Sequence, residues 1–170
     1  MTVWRGVLAG LMLIVLLCAG GCYHMRLMPV PLEGASFETG QPVGRTVAEI
    51  EKRLLQDGFL LETVDASSGM ILTGYRFFYN DTSTGQPAGG RDYHYRLEVR
   101  VTAKEKGTAV RLTPIDLELR TFYVYDHEGK LDTLKKRYPY EVFPGMFELE
   151  YLKKELQRVK ELLVAEKWQG

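Results

Sequence analysis

Cysteine is scarce in this chain of 170 residues: Cys18 and Cys22 are the only two, and both lie near the N-terminus. A framework of several disulfides is therefore excluded, as is a zinc site built from paired cysteines. The three histidines, His24, His94 and His127, have no metal-ligand spacing. We therefore predict no metal site and no cofactor.

An excess of charge of either sign is also absent, because 22 lysines and arginines balance 22 aspartates and glutamates. A surface that binds nucleic acid needs a basic excess, so we predict no nucleic-acid partner. The hydrophobic fraction of 45% is that of an ordinary globular domain.

Motifs of catalysis are missing as well. No serine stands in the strand-to-helix elbow of a hydrolase, and residues 80–92 are rich in glycine without the spacing of a phosphate-binding loop. We interpret residues 80–92 as a hairpin loop and predict that the protein is not an enzyme. If it is a small envelope hydrolase instead, His94 between Tyr93 and Tyr95 is the residue to examine.

One long apolar run is present, at the N-terminus. Residues 7–17 carry no charge, follow Arg5, and precede small residues at positions 19–21. This order is that of a secretory signal peptide, and the run is shorter than the roughly 20 residues that a membrane-spanning helix needs. We predict that residues 1–21 are a cleaved signal peptide.

Cys22 follows the small residues directly, and this stretch resembles the lipobox of bacterial lipoproteins. The resemblance implies lipidation of the Cys22 thiol, with acyl chains such as palmitate, and anchoring of the mature protein to a membrane. The alternative is an ordinary signal peptide followed by a free cysteine. Tyr23 stands where an aspartate retains such proteins in the inner membrane. The resemblance therefore implies an outer-membrane, periplasm-facing location in a Gram-negative host.

The remainder divides into two parts. Residues 22–44 contain Pro29, Pro31 and Pro42 and show no apolar period, so we predict a lipid-anchored flexible tether there. Residues 45–170 are numerous enough to bury a core, and we predict a single α+β domain.

Helix and strand patterns define that domain. Thr46-Val47-Ala48-Glu49 has the form of a capping box, and Gly58 has the position of a left-handed C-terminal cap. Residues 93–103 alternate between apolar and polar side chains, as in an antiparallel strand with one wet face. At Pro114 the alternation changes parity, which predicts a bulge or a sheet edge.

The C-terminal segment carries an apolar stripe at helical spacing, from Leu149 to Leu163. We predict that this helix packs on the sheet, a coiled-coil seam being the alternative. The predicted fold class is α+β: an antiparallel sheet of about four to six strands, packed on one face by an N-terminal helix and a long C-terminal helix, in a helix-grip-like arrangement.

Residues 46–74 resemble the helix-grip module of BamC-type lipoproteins in the outer-membrane β-barrel assembly machine. The shared marks are a glycine-then-aromatic step at residues 58–59 and a turn from Asp65 to Gly69. This resemblance implies one such module and a role in outer-membrane assembly. The stretch CYHMR at the predicted anchor is similar to the start of the lipoprotein of the lipopolysaccharide translocon, which implies lipopolysaccharide transport as an alternative.

Aromatic side chains recur in residues 137–147, before the C-terminal helix. Aromatic residues are enriched at protein interfaces. We predict that Tyr138, Tyr140 and Phe143 form a partner surface, the alternative being that these rings cover the end of the core. The sequence as a whole predicts a membrane-anchored, non-catalytic binding or scaffolding module of the cell envelope with a protein partner.

Overall fold

The computed structural model describes residues 28–82, 90–121, 124–125, 128, 130–132 and 136–164. The predicted signal peptide, Cys22 and most of the 80–92 loop lie outside these residues. No helix within the described ranges is long and apolar enough to cross a membrane. The elements are β1 (Ala35–Thr39), α1 (Val43–Gln56), β2 (Leu61–Asp65), β3 (Met70–Thr73), β4 (Arg76–Asp81), β5 (Arg91–Lys104), β6 (Gly107–Thr121), β7 (Val124–Tyr125), β8 (Leu131–Asp132), β9 (Lys136–Pro139), a 3₁₀ turn (Pro144–Met146) and α2 (Leu149–Val164).

Two long strands, β5 and β6, form the central hairpin of a seven-stranded antiparallel sheet. One half of β5 pairs with β3 and the other half with β4, while β6 pairs with β1 and with β9. β2 completes the sheet beside β3, and β7 with β8 forms a separate two-stranded sheet. The α+β class is therefore confirmed, with more strands in the main sheet than the sequence predicted.

Both described helices pack on the same face of this sheet. Their apolar stripes meet the inward side chains of β5 and β6 in a single hydrophobic cluster, which includes Ile50, Leu54, Leu97, Leu156 and Val159. The C-terminal stripe packs on the sheet, as predicted. The side chains of each strand alternate between the two faces of the sheet. Since both helices pack on one face, no helix in the described part of the chain covers the other.

A β-bulge in β6 keeps the core side of that strand continuous. His94 is opposite Glu118 but Arg96 is opposite Ile115, so β6 has one residue more than β5 in this interval. Asp116 adopts a left-handed φ of 49° there. The bulge predicted at the Pro114 parity change is confirmed: core side chains occupy even positions before it and odd positions after it.

The proline itself lies where β6 has no outer neighbour. β1 pairs with β6 only up to Leu112, and β9 pairs only from Glu118 onward. Pro114 is opposite Leu97, whose N–H donates to Thr73 Oγ1 on the β3 side at 2.9 Å. The nitrogen of Pro114 therefore faces the unpaired side, where its missing N–H costs no ladder hydrogen bond.

The predicted tether is wrong over its second half. β1 lies inside it and pairs with β6 from Ala35 to Thr39. A strand of five residues gave too short a pattern to recognise without its partner, because edge-strand pairing is decided by tertiary contacts.

The predicted capping box is also wrong. α1 begins at Val43 after Pro42, with no side chain bonded to its first turn. The Thr46 hydroxyl instead lies 3.1 Å from the Thr108 hydroxyl in the core, and Glu49 bonds to Arg53. The end of α1 agrees with the prediction, since Gly58 has φ +83°.

The turn from Asp65 to Gly69 is confirmed, and it needs a glycine at its end. Both oxygens of Asp65 accept hydrogen bonds from Ser67 and Ser68. Gly69 has φ +68°, and a Cβ there would lie 2.2 Å from the Val101 carbonyl oxygen. These bonds hold the pKa of Asp65 down, at about 2.

Candidate functional site on the open sheet face

The candidate site lies on the sheet face that no described helix covers, which we call the open face. Alternation along β5 and β6 sends His94, Arg96, Glu118 and Arg120 to this face, whereas their neighbours enter the core. Two large aromatic side chains join them from β4 and the loop before it. Tyr75 is 39% exposed and Phe77 is 50% exposed.

Arg96 holds the centre of the open face in place. Its guanidinium donates to Asp116 Oδ2 at 3.0 Å and to Glu62, and its Nε donates to the Thr73 carbonyl at 3.1 Å. These bonds tie the bulge in β6 to β2 and β3. Because each of its three guanidinium nitrogens donates to a partner within the chain, Arg96 is a positioning residue.

Tyr75 lies against two arginines. Its ring centroid is 4.9 Å from the guanidinium carbon of Arg120 and 5.9 Å from that of Arg96. Burial raises the pKa of the Tyr75 phenol, as do the charges of Glu118 and Asp116. The contacts orient the ring by cation–π attraction and leave part of it accessible to a ligand.

Glu118 is the only buried acidic side chain among the described residues, at 6% exposure. Arg120 binds it through Nε and a second guanidinium nitrogen. A buried carboxylate needs such a partner, since an unpaired charge of this kind is costly to bury. Glu118 therefore fixes the position of Arg120 beneath Tyr75.

His94 and Phe77 are cross-strand neighbours at one side of the site. Their rings meet edge to face with centroids 5.7 Å apart. His94 Nδ1 lies 3.2 Å from the Asp92 carbonyl oxygen, which only accepts, so Nδ1 carries the proton and Nε2 is free of it in the neutral ring. Burial lowers the pKa of His94, and the charge of Arg120 lowers it further.

Two pairs of arginines face each other directly across neighbouring strands. Arg100 is opposite Arg111, and Arg120 is opposite Arg137. One arginine of each pair is neutralised, by Glu98 or by Glu118. Arg111 and Arg137 have no acidic partner within the described ranges. Directly opposed like charges destabilise a sheet, so each pair favours an anionic group from outside the chain.

The predicted partner surface is divided by the structure. Tyr140 is 4% exposed and belongs to the core cluster, so the prediction is wrong for that residue and the core interpretation holds. Tyr138 is half-buried, and its ring meets that of Phe143 edge to face at 5.3 Å. Phe143 is 40% exposed.

His94 lies on the polar face of β5, as the alternation of residues 93–103 predicted. Tyr93 and Tyr95 enter the core on the opposite sheet face, because side chains one residue apart on a strand point in opposite directions. His24 and His127 lie outside the described residues. In the part of the chain that the structure describes, no group of three or more histidine, cysteine or acidic side chains is placed to hold a metal.

Tyr75 and Phe77 were not among the predicted site residues, because residues 70–79 have the composition of a single strand. The structure breaks that strand at Gly74 and Tyr75, and only the break turns the aromatic side chains outward. Residues 70–72 are consecutive apolar side chains, so the sequence has no strict alternation whose change of parity could reveal the break. The glycine at position 74 was the one available signal.

Another candidate site is a concavity of about 680 Å³ between the start of β1 and α2. Its walls carry both signs of charge, from Glu33, Glu150, Lys153 and Lys160. It has the volume of a ligand site but lacks the apolar lining and the few convergent polar groups that such sites have. The open face is the better candidate.

The known proteins to which the chain is similar are solved structures. No family model matches it, and no curated protein matches it. A similar solved structure is a DUF4468 family protein from Bacteroides ovatus, with 14% identity, a TM-score of 0.43, and coverage of 78% of this chain and 82% of that one. Another is a TBP-like protein from Parabacteroides distasonis, with 13% identity, a TM-score of 0.46, and coverage of 79% and 93%. At these TM-scores the likeness carries no argument about function.

Proposed function

We propose that the protein is a membrane-anchored lipoprotein of the cell envelope that acts as a non-catalytic binding module, and that an acidic protein partner docks on the open face. The observation that carries this proposal is that Tyr75 and Phe77 are exposed on the same sheet face as Arg111 and Arg137, which have no acidic partner among the described residues. Exposed aromatic rings supply contact area at little entropy cost, and unpaired arginines supply charge complementarity.

The anchor is supported by the sequence alone. A short apolar run, small residues at positions 19–21 and Cys22 stand in the order of a lipoprotein signal. Cys22→Ser then leaves an unprocessed precursor without lipid, whereas Cys18→Ser matures normally. Mass spectrometry of the N-terminal peptide and density-gradient fractionation measure both outcomes. Normal maturation of Cys22→Ser would contradict the anchor.

Site-specific photocrosslinking tests the docking surface in living cells. A photoreactive amino acid at Phe77 is expected to give a discrete protein adduct, and the same amino acid at the exposed Leu55 of α1 is expected to give none. The partner identified by mass spectrometry should present an acidic surface. Adducts of equal yield from both positions, or from Leu55 alone, would contradict docking on the open face.

Charge reversal tests the role assigned to the two arginines. Arg111→Glu with Arg137→Glu should abolish the Phe77 adduct, because the variant presents negative charge to an acidic partner. Lys52→Glu, on an exposed position of α1, is the matched control and should leave the adduct unchanged. An undiminished adduct in the double variant would show that charge complementarity does not hold the partner.

A further inference from the structure

Four apolar side chains are exposed in two segments, one at the start of the described chain and one in the turn after β9. Met28 and Val30 precede β1, and Val142 and Phe143 follow β9. Their exposed fractions are 80%, 63%, 51% and 40% respectively. We call these four residues the anchor-side patch. Exposed apolar side chains that gather in one region of a folded domain mark a site of contact with a protein or a membrane.

Tyr140, two residues before Val142, bonds to the segment that carries Met28 and Val30. Its hydroxyl oxygen is 3.0 Å from the Val30 nitrogen, from which it accepts, and 3.0 Å from the Val30 carbonyl oxygen, to which it donates. The Tyr140 ring is buried against Phe147, with centroids 5.4 Å apart. The N-terminal segment is therefore fixed to the domain from Val30 onward. The sequence had predicted that the chain is a flexible tether up to residue 44.

The turn that carries the other half is also fixed. The N–H groups of Val142 and Phe143 both donate to the Pro139 carbonyl, at 3.1 and 3.0 Å. Phe143 is further held by its edge-to-face contact with Tyr138. Its exposure is therefore a property of a formed turn, and the apolar side chains are presented on a rigid support.

The length of chain between this patch and the predicted anchor is short. Met28 follows Cys22 by six positions. A fully extended chain spans at most ~3.3–3.6 Å per residue, so Met28 lies within about 20 Å of the acylated cysteine. The headgroup region on each side of a bilayer is several ångströms deep, so a segment this short keeps the patch close to the lipid surface.

We propose that the anchor-side patch contacts the lipid bilayer and thereby fixes the orientation of the domain on the membrane. This inference rests on the proposed lipidation of Cys22. The acyl chains supply the membrane affinity, and the patch sets the orientation of the domain relative to the bilayer. Val30, Val142 and Phe143 enter the interfacial region, where aromatic side chains are favoured. The segment before β1 is then a short mount rather than a long tether.

The test uses the processed, lipidated full-length protein in vesicles of phosphatidylethanolamine and phosphatidylglycerol. Val142→Cys and Leu60→Cys each receive the same polarity-sensitive fluorophore, since the only other cysteine of the processed chain is bonded to lipid. Leu60 is the matched control, an exposed apolar residue just before β2. At position 142 we expect a blue-shifted emission and iodide quenching that is several-fold weaker than at position 60. At position 60 we expect the quenching of a fluorophore that is fully exposed to water.

Each outcome has a distinct meaning. Equal iodide quenching at both positions on an acylated protein would overturn the patch contact and leave the anchor intact. Equal protection at both positions would also overturn it, because the contact would not be specific. Protection at position 142 that needs added envelope protein would assign the patch to a protein partner and overturn the lipid contact. Mass spectrometry of the N-terminal peptide decides lipidation independently, and an unacylated protein would overturn both proposals.

Discussion

The two faces of the sheet use the same strands for different purposes. Toward the helices, β5 presents Tyr93, Tyr95, Leu97, Val99 and Val101, all buried. Toward solvent, the residues between them are mainly charged: Arg96 bonds to Asp116 of β6, and Arg100 bonds to Glu98 of its own strand. The covered face gains free energy from apolar burial, whereas surface ion pairs add little to stability. The open face is therefore the one that can change without unfolding the domain.

The covered side of the sheet also contains a buried charge, which bonds to the backbone of a helix. Arg53 of α1 is 7% exposed and donates to the carbonyls of Leu162 and Leu163 at the end of α2. Those carbonyls have no partner within their own helix, and a cation there also favours the helix dipole. Arg53 thus joins the two helices on the covered side, whereas Arg111 and Arg137 on the open face have no acidic partner among the described residues.

The largest expected effect is on the covered face. Leu97→Ala or Leu156→Ala should lower the free energy of unfolding by roughly 2–5 kcal/mol, because each removes a buried side chain and leaves a cavity. Leu60→Ala, at an exposed position, should cost much less. Urea denaturation followed by circular dichroism measures all three. Equal midpoints would mean that the two faces do not differ in their contribution to stability.

Tyr140 is expected to give an intermediate effect. Tyr140→Phe should cost about 1 kcal/mol, the usual contribution of a hydrogen bond, and should remove the protection of the Val30 amide from hydrogen exchange. Tyr138→Phe is the control, since that hydroxyl has no hydrogen bond among the described residues. Unchanged exchange at Val30 would contradict the fixed N-terminal segment and, with it, the short mount at the membrane.

A smaller effect is expected from the titration of His94. Burial lowers the pKa of His94 in the folded protein, so the unfolded chain binds its proton more readily. Stability contributed by the neutral ring is therefore present above the unfolded value of about 6.5 and is lost as the pH falls below it. His94→Asn should lose less stability than the wild type between pH 7.5 and 5.5, as measured by urea denaturation at each pH. An identical loss in both proteins would mean that His94 is not desolvated.

The same variant separates binding from catalysis. If the protein is a binding module, His94→Asn should retain its role in complementation of a deletion strain. Failure of this variant with a normal circular dichroism spectrum would favour the hydrolase alternative, in which the free Nε2 acts as a base.

The smallest effect on stability is expected for the arginines proposed to bind the partner. Arg111→Gln or Arg137→Gln should change the free energy of unfolding by no more than about 0.5 kcal/mol, as for surface substitutions generally. Any change should be a gain, because each removes a pair of opposed like charges. A loss above 1 kcal/mol would show that these arginines support the fold, and would weaken the division between the two faces.

The sequence predicted those parts of the fold that depend on local pattern. The end of α1 at Gly58, the bulge near Pro114 and the packing of the C-terminal stripe are confirmed. It failed at β1 and at the start of α1. A five-residue edge strand such as β1 forms only by pairing with its partner strand. The hydroxyl of Thr46 forms its hydrogen bond with that of Thr108, 62 residues further along the chain.

The candidate site divides in the same way. Strand alternation by itself determined that His94 and Arg96 share a face, because side-chain direction has a period of two. Only the tertiary structure decided that Tyr75 lies over Arg120, that Arg111 and Arg137 face other arginines, and that Tyr140 is buried while Phe143 is exposed. Those relations join residues distant in sequence, and cross-strand register and the route of the chain before β1 set them. A local pattern specifies which way a side chain points, but only packing specifies what it meets.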